Sequence, residues 1–218
     1  MQQRLSYDIA LKELKLKLLK MGNDVQEALR ESIVALKTLD IVKGRQIVTN
    51  DVHINHQEHE IEDMCIRLIA TQQPVATDLR KIVAGLRIAS DLERMADLAV
   101  DISKSAIRLE GQAMRFPLID IPRMGQMIDV MISDALNAYV DNNIELARKL
   151  AVMDDEVDHL YRGLVEHLVT SDYDEEESRA QAITMAFCGR YLERIGDHAT
   201  NIGESVIYIV SGERSDLN

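Results

Sequence analysis

The chain repeats part of itself after 100 residues, and this repetition strongly limits the folds open to it. When residues 92–107 are laid over residues 192–207, eight of the sixteen positions are identical. The matching pairs are Leu92/Leu192, Glu93/Glu193, Arg94/Arg194, Asp97/Asp197, Ala99/Ala199, Ile102/Ile202, Ser105/Ser205 and Ile107/Ile207. Two unrelated amphipathic helices would rarely agree so often, so the sequence predicts two homologous units.

Hydrophobic residues recur at helical spacing along most of the chain. The pattern predicts six long helices over residues 5–39, 41–72, 75–110, 123–140, 144–170 and 175–211. Asp40 is the expected N-cap of the second helix, and Gly111 and Gly212 stand where a glycine commonly ends a helix. Aromatic residues make up only 4% of the chain and Trp is absent, so a β-sandwich or barrel has little to build from.

These elements predict an all-α fold of two homologous antiparallel three-helix bundles, residues 1–111 and residues 112–218. Residues 112–122 contain two of the three prolines and no periodicity, so we expect an exposed connector there. Shorter turns are expected at residues 141–143 and 171–174. Cys65 and Cys188 stand singly inside helical patterns and are expected to be small core residues.

The chain carries a net charge of −12, which argues against a nucleic-acid partner because binding a phosphate backbone needs a basic face. The charge is uneven: residues 1–111 hold 16 Lys and Arg against 17 Asp and Glu, whereas residues 112–218 hold 9 against 20. The first residues show no signal-peptide pattern, and no run approaches the ~18 apolar residues of a membrane-spanning helix. We therefore expect a cytoplasmic protein.

Acidic residues form a stripe on the repeated helix. Glu93 and Asp97 lie four residues apart on one helix face, and Glu193 and Asp197 repeat the arrangement. Like charges at this spacing repel by roughly 0.2–0.5 kcal/mol, so a cation should compensate them. The arginine that follows each glutamate is one candidate. A metal ion is another, because carboxylate oxygens suit Mg, Mn and Fe.

The preceding helix of each unit offers further oxygen ligands. Asp51, Asn55 and Glu58 share one face in the first unit, and Asp154 and Asp158 form a pair in the second. Two facing helices would thus present four oxygen-bearing side chains to one ion. The alternative is a solvated acidic face neutralised by arginine. Further candidate ligands continue the stripe on the repeated helix at Asp101, Asn201 and Glu204.

Other functional patterns are weaker. His53, His56 and His59 point to different sides of their helix and are expected at the surface, although His56 with Glu60 at i,i+4 would suit zinc. A ferritin-like di-iron site needs two Glu-x-x-His pairs, and only Glu156-x-x-His159 occurs. No nucleophile elbow, catalytic triad or glycine-rich phosphate loop is present, so nothing in the sequence predicts an enzyme.

Three arginines recur every seven residues on the third predicted helix, at Arg80, Arg87 and Arg94. This arrangement would suit a phosphate ligand. Equally good salt-bridge partners for the three arginines stand at Asp78, Asp91 and Glu58. Both interpretations stay open at the level of the sequence.

The repeated motif resembles the PhoU family. Leu-Glu-Arg-[Met/Ile]-[Ala/Gly]-Asp occurs at residues 92–97 and 192–197, Asp78-Leu79-Arg80 precedes the first copy, and Met21-Gly22 lies in the first helix. The resemblance covers nearly the whole chain and implies two three-helix bundles with pseudo-two-fold symmetry, each with an acidic metal-binding surface. The implied ligands are Asp51, Glu93 and Asp97 in the first unit and Asp154, Asp158, Glu193 and Asp197 in the second.

The same resemblance implies a function. PhoU proteins are cytoplasmic regulators that link the high-affinity phosphate ABC transporter to the sensor histidine kinase of the phosphate regulon, and they repress that regulon when phosphate is plentiful. They are often dimers and meet the membrane only through these partners. We therefore expect a metal-binding adaptor for phosphate homeostasis that is not an enzyme and that contacts the transporter ATPase and the kinase.

The bound ion is expected to be Mn, Mg, Fe or Zn. The alternative is a metal-dependent hydrolase or an iron-storage protein that uses the same carboxylates. The two units differ at one candidate ligand: Asn55 stands where the second unit has Asp158. The first acidic surface should therefore bind metal more weakly than the second.

Overall fold

The structure, a computed structural model, describes residues 2–115, 120–173 and 175–217, and within these ranges it contains six α-helices and no strand. The helices are α1 (Gln2–Thr38), α2 (Ile41–Gln72), α3 (Ala76–Arg108), α4 (Asp120–Asp141), α5 (Ile144–Thr170) and α6 (Glu176–Ser211). Helices α1 to α3 pack as one antiparallel bundle and α4 to α6 as a second, which confirms the predicted fold class. The exact boundary between residues 111 and 112 stays a prediction.

Specific residues cap the ends of several helices. The Asp40 carboxylate accepts a hydrogen bond from the Lys43 N–H at 2.9 Å, as predicted for the N-cap of α2. Asn143 caps α5 in the same way through the Leu146 N–H at 3.0 Å. At the end of α6, Gly212 has a left-handed φ of 79° and its N–H reaches the Tyr208 carbonyl at 3.0 Å. Each cap satisfies a backbone group that the helix leaves unpaired.

The connector differs from the prediction. Helix α4 begins at Asp120 instead of Arg123, so Pro122 lies in its first turn, where a missing N–H costs no hydrogen bond. Helix α3 ends at Arg108 instead of Glu110, because the backbone tightens into short turns before Gly111, which has a φ of 80°. Residues 116–119 of the predicted connector and Asp174 of the predicted turn lie outside the described residues.

The described part of the connector is anchored instead of fully exposed. The side chain of Gln181 on α6 is buried and donates to the Gln112 side chain at 3.0 Å and to the Ala113 carbonyl at 2.9 Å. The Arg115 N–H donates back to Gln181 at 3.1 Å, and the Arg115 guanidinium pairs with Glu177 at 2.9 Å. A buried amide that is satisfied by three bonds ties the connector to the first turns of α6.

Helices α3 and α6 are the centre of the molecule. Helix α3 packs against α1, α2 and α6, and α6 packs against α3, α4 and α5. The hydrophobic residues of both bundles join across this contact into one continuous core. Cys65 and Cys188 are buried in it, as predicted. None of the helices in the described ranges combines the length and the apolar character that crossing a bilayer requires.

A second contact joins the two bundles through α1 and α4, and it is reciprocal. Gly22 on α1 lies against Leu136 on α4, and Gly125 on α4 lies against Ile33 on α1. A Cβ on either glycine would approach a terminal methyl group of the opposing side chain closer than van der Waals contact allows, so that side chain would have to move aside.

Replacing Gly22 or Gly125 by Ala should therefore be less favourable, by about 1 kcal/mol, than the same change at an open helical position, because the terminal methyl group of Leu136 or Ile33 must first move aside. Gly163 is the matched control, because it is also inside a helix but a Cβ there meets nothing within 4 Å. Gly163→Ala should stabilise the protein by about 0.5–1 kcal/mol in urea denaturation. Equal effects at Gly22, Gly125 and Gly163 would show that α1 and α4 do not approach so closely in solution.

Candidate metal-binding carboxylate clusters

The structure brings the predicted acidic residues together in two clusters. The first carboxylate cluster consists of Asp51 on α2 with Glu93 and Asp97 on α3. Burial, and after it the charge of Asp97, raises the pKa of Asp51 and of Glu93, and Asp51 on α2 also raises the pKa of Glu93 on α3, as expected where the two helices face each other. The second carboxylate cluster repeats this arrangement between α5 and α6, with Asp154, Asp158, Glu193 and Asp197.

Both clusters contain buried oxygen atoms that no described residue satisfies. In the first, Asp51 Oδ1 and Asn55 Oδ1 are buried without a hydrogen-bond partner, although the Asn55 amide donates to Asp51 Oδ2 at 3.3 Å. In the second, Asp154 Oδ1 and Glu193 Oε2 are in the same situation. A buried acceptor without a donor costs free energy, so each cluster has an unmet demand for a cation or another donor.

The second cluster is the more strongly perturbed of the two. Asp154 is only 7% exposed, and burial followed by the charges of Asp197, Asp158 and Glu193 raises its pKa to about 7. Burial also raises the pKa of Glu193 and of Asp197. Four acidic side chains thus share one partly desolvated site, where charges repel more strongly than in water.

Arginines compensate part of this charge. Arg94 contacts Glu93 at 3.5 Å and Asp97 at 3.0 Å, as the sequence predicted. In the second cluster the expected Arg194 does not pair with Glu193, and Arg190 does so instead. Arg190 lies three residues before Glu193, on the same helix face, which is the spacing at which helical side chains meet.

A glycine lets Asp154 of the second cluster approach the α6 backbone closely. A Cβ on Gly196 would lie 3.0 Å from Asp154 Oδ1, so the carboxylate rests almost against the α6 backbone. Ala96 stands at the corresponding position of α3. The sequence carried this signal in the fifth position of the repeated motif, where the two copies differ.

Of the further candidate ligands, Glu58 adjoins the first cluster, since its charge raises the pKa of Glu93. The others lie elsewhere on the central helices. Asp101 pairs with Lys104 at 3.1 Å, Asn201 donates to Asp91 at 3.2 Å, and Glu204 accepts the Leu217 N–H at 2.9 Å. The structure therefore places these three residues beside the contact between α3 and α6 and not beside α2 or α5.

The histidines do not join the clusters. His53, His56 and His59 are exposed, as predicted, and His56 lies 3.3 Å from Glu60. His198 is part of the contact between α3 and α6, where its Nδ1 lies 3.0 Å from Asp91. An open groove of about 640 Å³ between α1 and α2 leads to Asp51, so the first cluster is accessible from that side.

The donor set suits a hard cation, but the clusters are not assembled around one. In the ranges that the structure describes, no three His, Cys, Asp or Glu side chains converge closely enough to hold one metal ion. The buried oxygen atoms and the raised pKa values nevertheless match what a divalent or trivalent ion would satisfy. Binding would require the carboxylates of each cluster to draw closer together.

Fold and clusters together define a class of helical protein in which a three-helix unit occurs twice and carries one carboxylate cluster per copy. The family model of the PhoU domain matches the chain twice, over residues 18–106 and residues 121–206, so both units are covered. The chain belongs to the PhoU family.

Curated relatives match over almost the whole chain. The phosphate-specific transport system accessory protein PhoU homolog of Clostridium acetobutylicum is 38% identical over 213 residues, which is 97% of each chain. The accessory protein PhoU of Escherichia coli K12 is 30% identical over 95% of this chain and 86% of its own.

Solved structures agree with the fold. The crystal structure of PhoU from Pseudomonas aeruginosa superposes with a TM-score of 0.88 at 32% identity, covering 95% of this chain and all of that one. The phosphate transport system regulatory protein PhoU from Streptococcus pneumoniae gives a TM-score of 0.89 at 29% identity, covering 96% of this chain and 99% of that one.

The raised pKa of Asp154 predicts how stability changes with pH when metal is removed by a chelator. The folded protein holds a proton on Asp154 up to about pH 7, whereas the unfolded chain releases it near 3.8. The contribution of Asp154 to the free energy of unfolding should therefore be largest below pH 3.8 and fall as pH rises to about 7.

Asp154→Asn should remove this fall and make the protein more stable than the parent at about pH 8, as measured by urea denaturation at several pH values. Glu166→Gln is the control, because Glu166 is exposed on α5 and lies twelve residues from Asp154. A parent and an Asp154→Asn variant with the same pH dependence would contradict the burial of charge at this position.

Proposed function

We propose that this protein is a regulator of phosphate transport that acts by contact with other proteins and not by catalysis. The observation that carries the proposal is membership of the PhoU family along both units, together with relatives named as accessory and regulatory proteins of phosphate transport systems. In its finer form, the protein is a cytoplasmic adaptor between the phosphate ABC transporter ATPase and the phosphate-sensing histidine kinase, and it represses the phosphate regulon.

We propose further that the two carboxylate clusters bind metal ions. Asp51, Glu93 and Asp97 would hold the ion of the first cluster, with Asn55 and Glu58 beside them. Asp154, Asp158, Glu193 and Asp197 would hold that of the second. Such an ion would supply positive charge where buried carboxylate oxygens have no donor, and it would tie α2 to α3 and α5 to α6.

The two clusters should differ in affinity. The second offers four carboxylates, whereas the first offers three and an amide, and an amide oxygen contributes a dipole where a carboxylate contributes a full charge. The surrounding residues increase this difference, since residues 112–218 hold 9 cationic against 20 anionic side chains and residues 1–111 are almost balanced at 16 against 17. Metal should therefore occupy the second cluster first.

A manganese titration by calorimetry tests this order. Glu193→Gln with Asp197→Asn should abolish the tighter binding phase, whereas Glu93→Gln with Asp97→Asn should abolish only the weaker one. Glu156→Gln with Glu166→Gln removes the same charge from the exposed face of α5 and is the matched control. If both cluster variants bound manganese like the parent, the carboxylates would serve as packing or partner contacts and not as ligands.

The adaptor role is tested in cells. The tagged protein should retain the transporter ATPase and the kinase in a pull-down from a phosphate-rich culture, and deletion of its gene should leave alkaline phosphatase production switched on in rich phosphate. The cluster variants, reintroduced on a plasmid, would show whether metal is needed for repression. Normal repression in a clean deletion strain would count directly against the regulatory proposal.

A further inference from the structure

A second polar site lies between α3, α6 and the last described residues of the chain. The last described residues, 213–217, here called the tail, fold back over α3 and α6 and enclose an open pocket of about 470 Å³. Seven side chains that can donate hydrogen bonds line it, namely Arg87, Ser90, Asn201, Ser205, Tyr208, Arg214 and Ser215. Neither carboxylate cluster contributes a residue to this pocket.

The tail is held in place by specific contacts. The Leu217 N–H donates to Glu204 at 2.9 Å, and the Leu217 side chain approaches α6 at Gly203, 3.3 Å from the position a Cβ would take there. At the other end of the tail, the Arg80 guanidinium lies over Gly212. These contacts make the tail a wall of the pocket and bring Arg214 and Ser215 opposite α3.

The two acidic residues that line the pocket are already engaged. Asp91 contacts His198 Nδ1 at 3.0 Å and accepts from the Asn201 amide at 3.2 Å, and Glu204 accepts from the tail. In the sequence, Asp91 is a possible salt-bridge partner for Arg87. In the structure Arg87 instead lies over the Tyr208 ring, 5.8 Å from its centroid. The arginine thus faces the pocket beside the hydroxyl groups.

One hydroxyl in the pocket lacks a partner. Ser215 Oγ is buried and makes no hydrogen bond to any described residue. Guanidinium groups carry donors and no acceptor, and hydroxyls donate readily, so donor side chains outnumber the two carboxylates in the lining. A ligand rich in acceptor oxygens and negative charge would complete it. The planar guanidinium group of an arginine can donate two parallel hydrogen bonds to the oxygens of a phosphate group.

The repeat shows that this pocket is particular to one side of the molecule. Phe187 and Tyr191 stand on α6 where the pocket has Arg87 and Asp91 on α3, and their rings stack 6.4 Å apart. Structural demands common to both units therefore do not explain Arg87, although Ser205 has its counterpart in Ser105. At the pocket, Arg87 and Arg214 balance the charges of Asp91 and Glu204, whereas the chain as a whole carries a net charge of −12.

We propose that the pocket between α3, α6 and the tail binds a phosphate group, with Arg87 and Arg214 as its charged ligands and Ser90, Ser205, Ser215 and Tyr208 as further donors. The pocket is larger than one phosphate group, so inorganic phosphate and a phosphate monoester share the chemistry that it recognises. The regulatory meaning of such binding rests on the proposed function, whereas the binding itself does not.

Calorimetric titration of the full chain tests the proposal with inorganic phosphate, glycerol 3-phosphate and sulfate. Arg87→Gln and Arg214→Gln should each weaken phosphate binding about tenfold or more, because each removes a charge-assisted interaction. Arg67→Gln, on the exposed face of α2, is the matched control and should bind like the parent. Arg87 also packs on Tyr208, so the exposed Arg214 provides a variant with little effect on folding, which thermal unfolding would verify.

Tighter binding of glycerol 3-phosphate than of inorganic phosphate would assign the pocket to a monoester, and the reverse would assign it to the free ion. The proposal is overturned if the parent binds neither, if both arginine variants bind like Arg67→Gln, or if sulfate binds as tightly as phosphate. Absent binding with intact repression in cells would refute this inference alone. Normal binding without capture of any transporter or kinase component would refute the proposed function alone.

Discussion

The burial of α3 and α6 is the constraint on which the rest of the structure depends. Each of these helices is surrounded by three others, so nearly every side chain on it needs apolar packing or a matched polar partner. The repeated Glu and Asp residues lie on these two helices, where water solvates them only in part. Their charge therefore acts on the facing carboxylates of α2 and α5.

The fold could be predicted largely from the sequence because it depends on local signals. Hydrophobic spacing and caps located all six helices, and α5 was bounded correctly at both ends. The continuous core could not be predicted, because periodicity shows that a helix face is buried but not which neighbour covers it. The sequence predicts the start of α4 three residues too late. The stretch that ends at Pro122 is expected to be a connector, but a proline is tolerated in the first turn of a helix.

The candidate site, too, could be predicted from the sequence only where it depends on local spacing. Spacing correctly paired Glu93 with Asp97 and pointed to Asp51 on the preceding helix, since these contacts follow from one helix face and one neighbour. The extension to Asn201 and Glu204 did not join the cluster. Asn201 is turned by about 40° around the helix from Asp197, and Glu204 lies on nearly the same side as Asp197 but about 10 Å farther along the helix. Arg190 was overlooked, although its i,i+3 spacing to Glu193 is visible in the sequence.

The reciprocal contact of Gly22 with Leu136 and of Gly125 with Ile33 has the form of an interface between two identical subunits, in which every contact occurs twice. The chain is in this respect a dimer whose subunits have been joined covalently. Identical subunits cannot specialise, because a change in one is a change in both. Once joined, they can, and the differences between Asn55 and Asp158 and between Arg87 and Phe187 mark where this has happened. Duplication followed by fusion thus turned one symmetric architecture into two unequal surfaces.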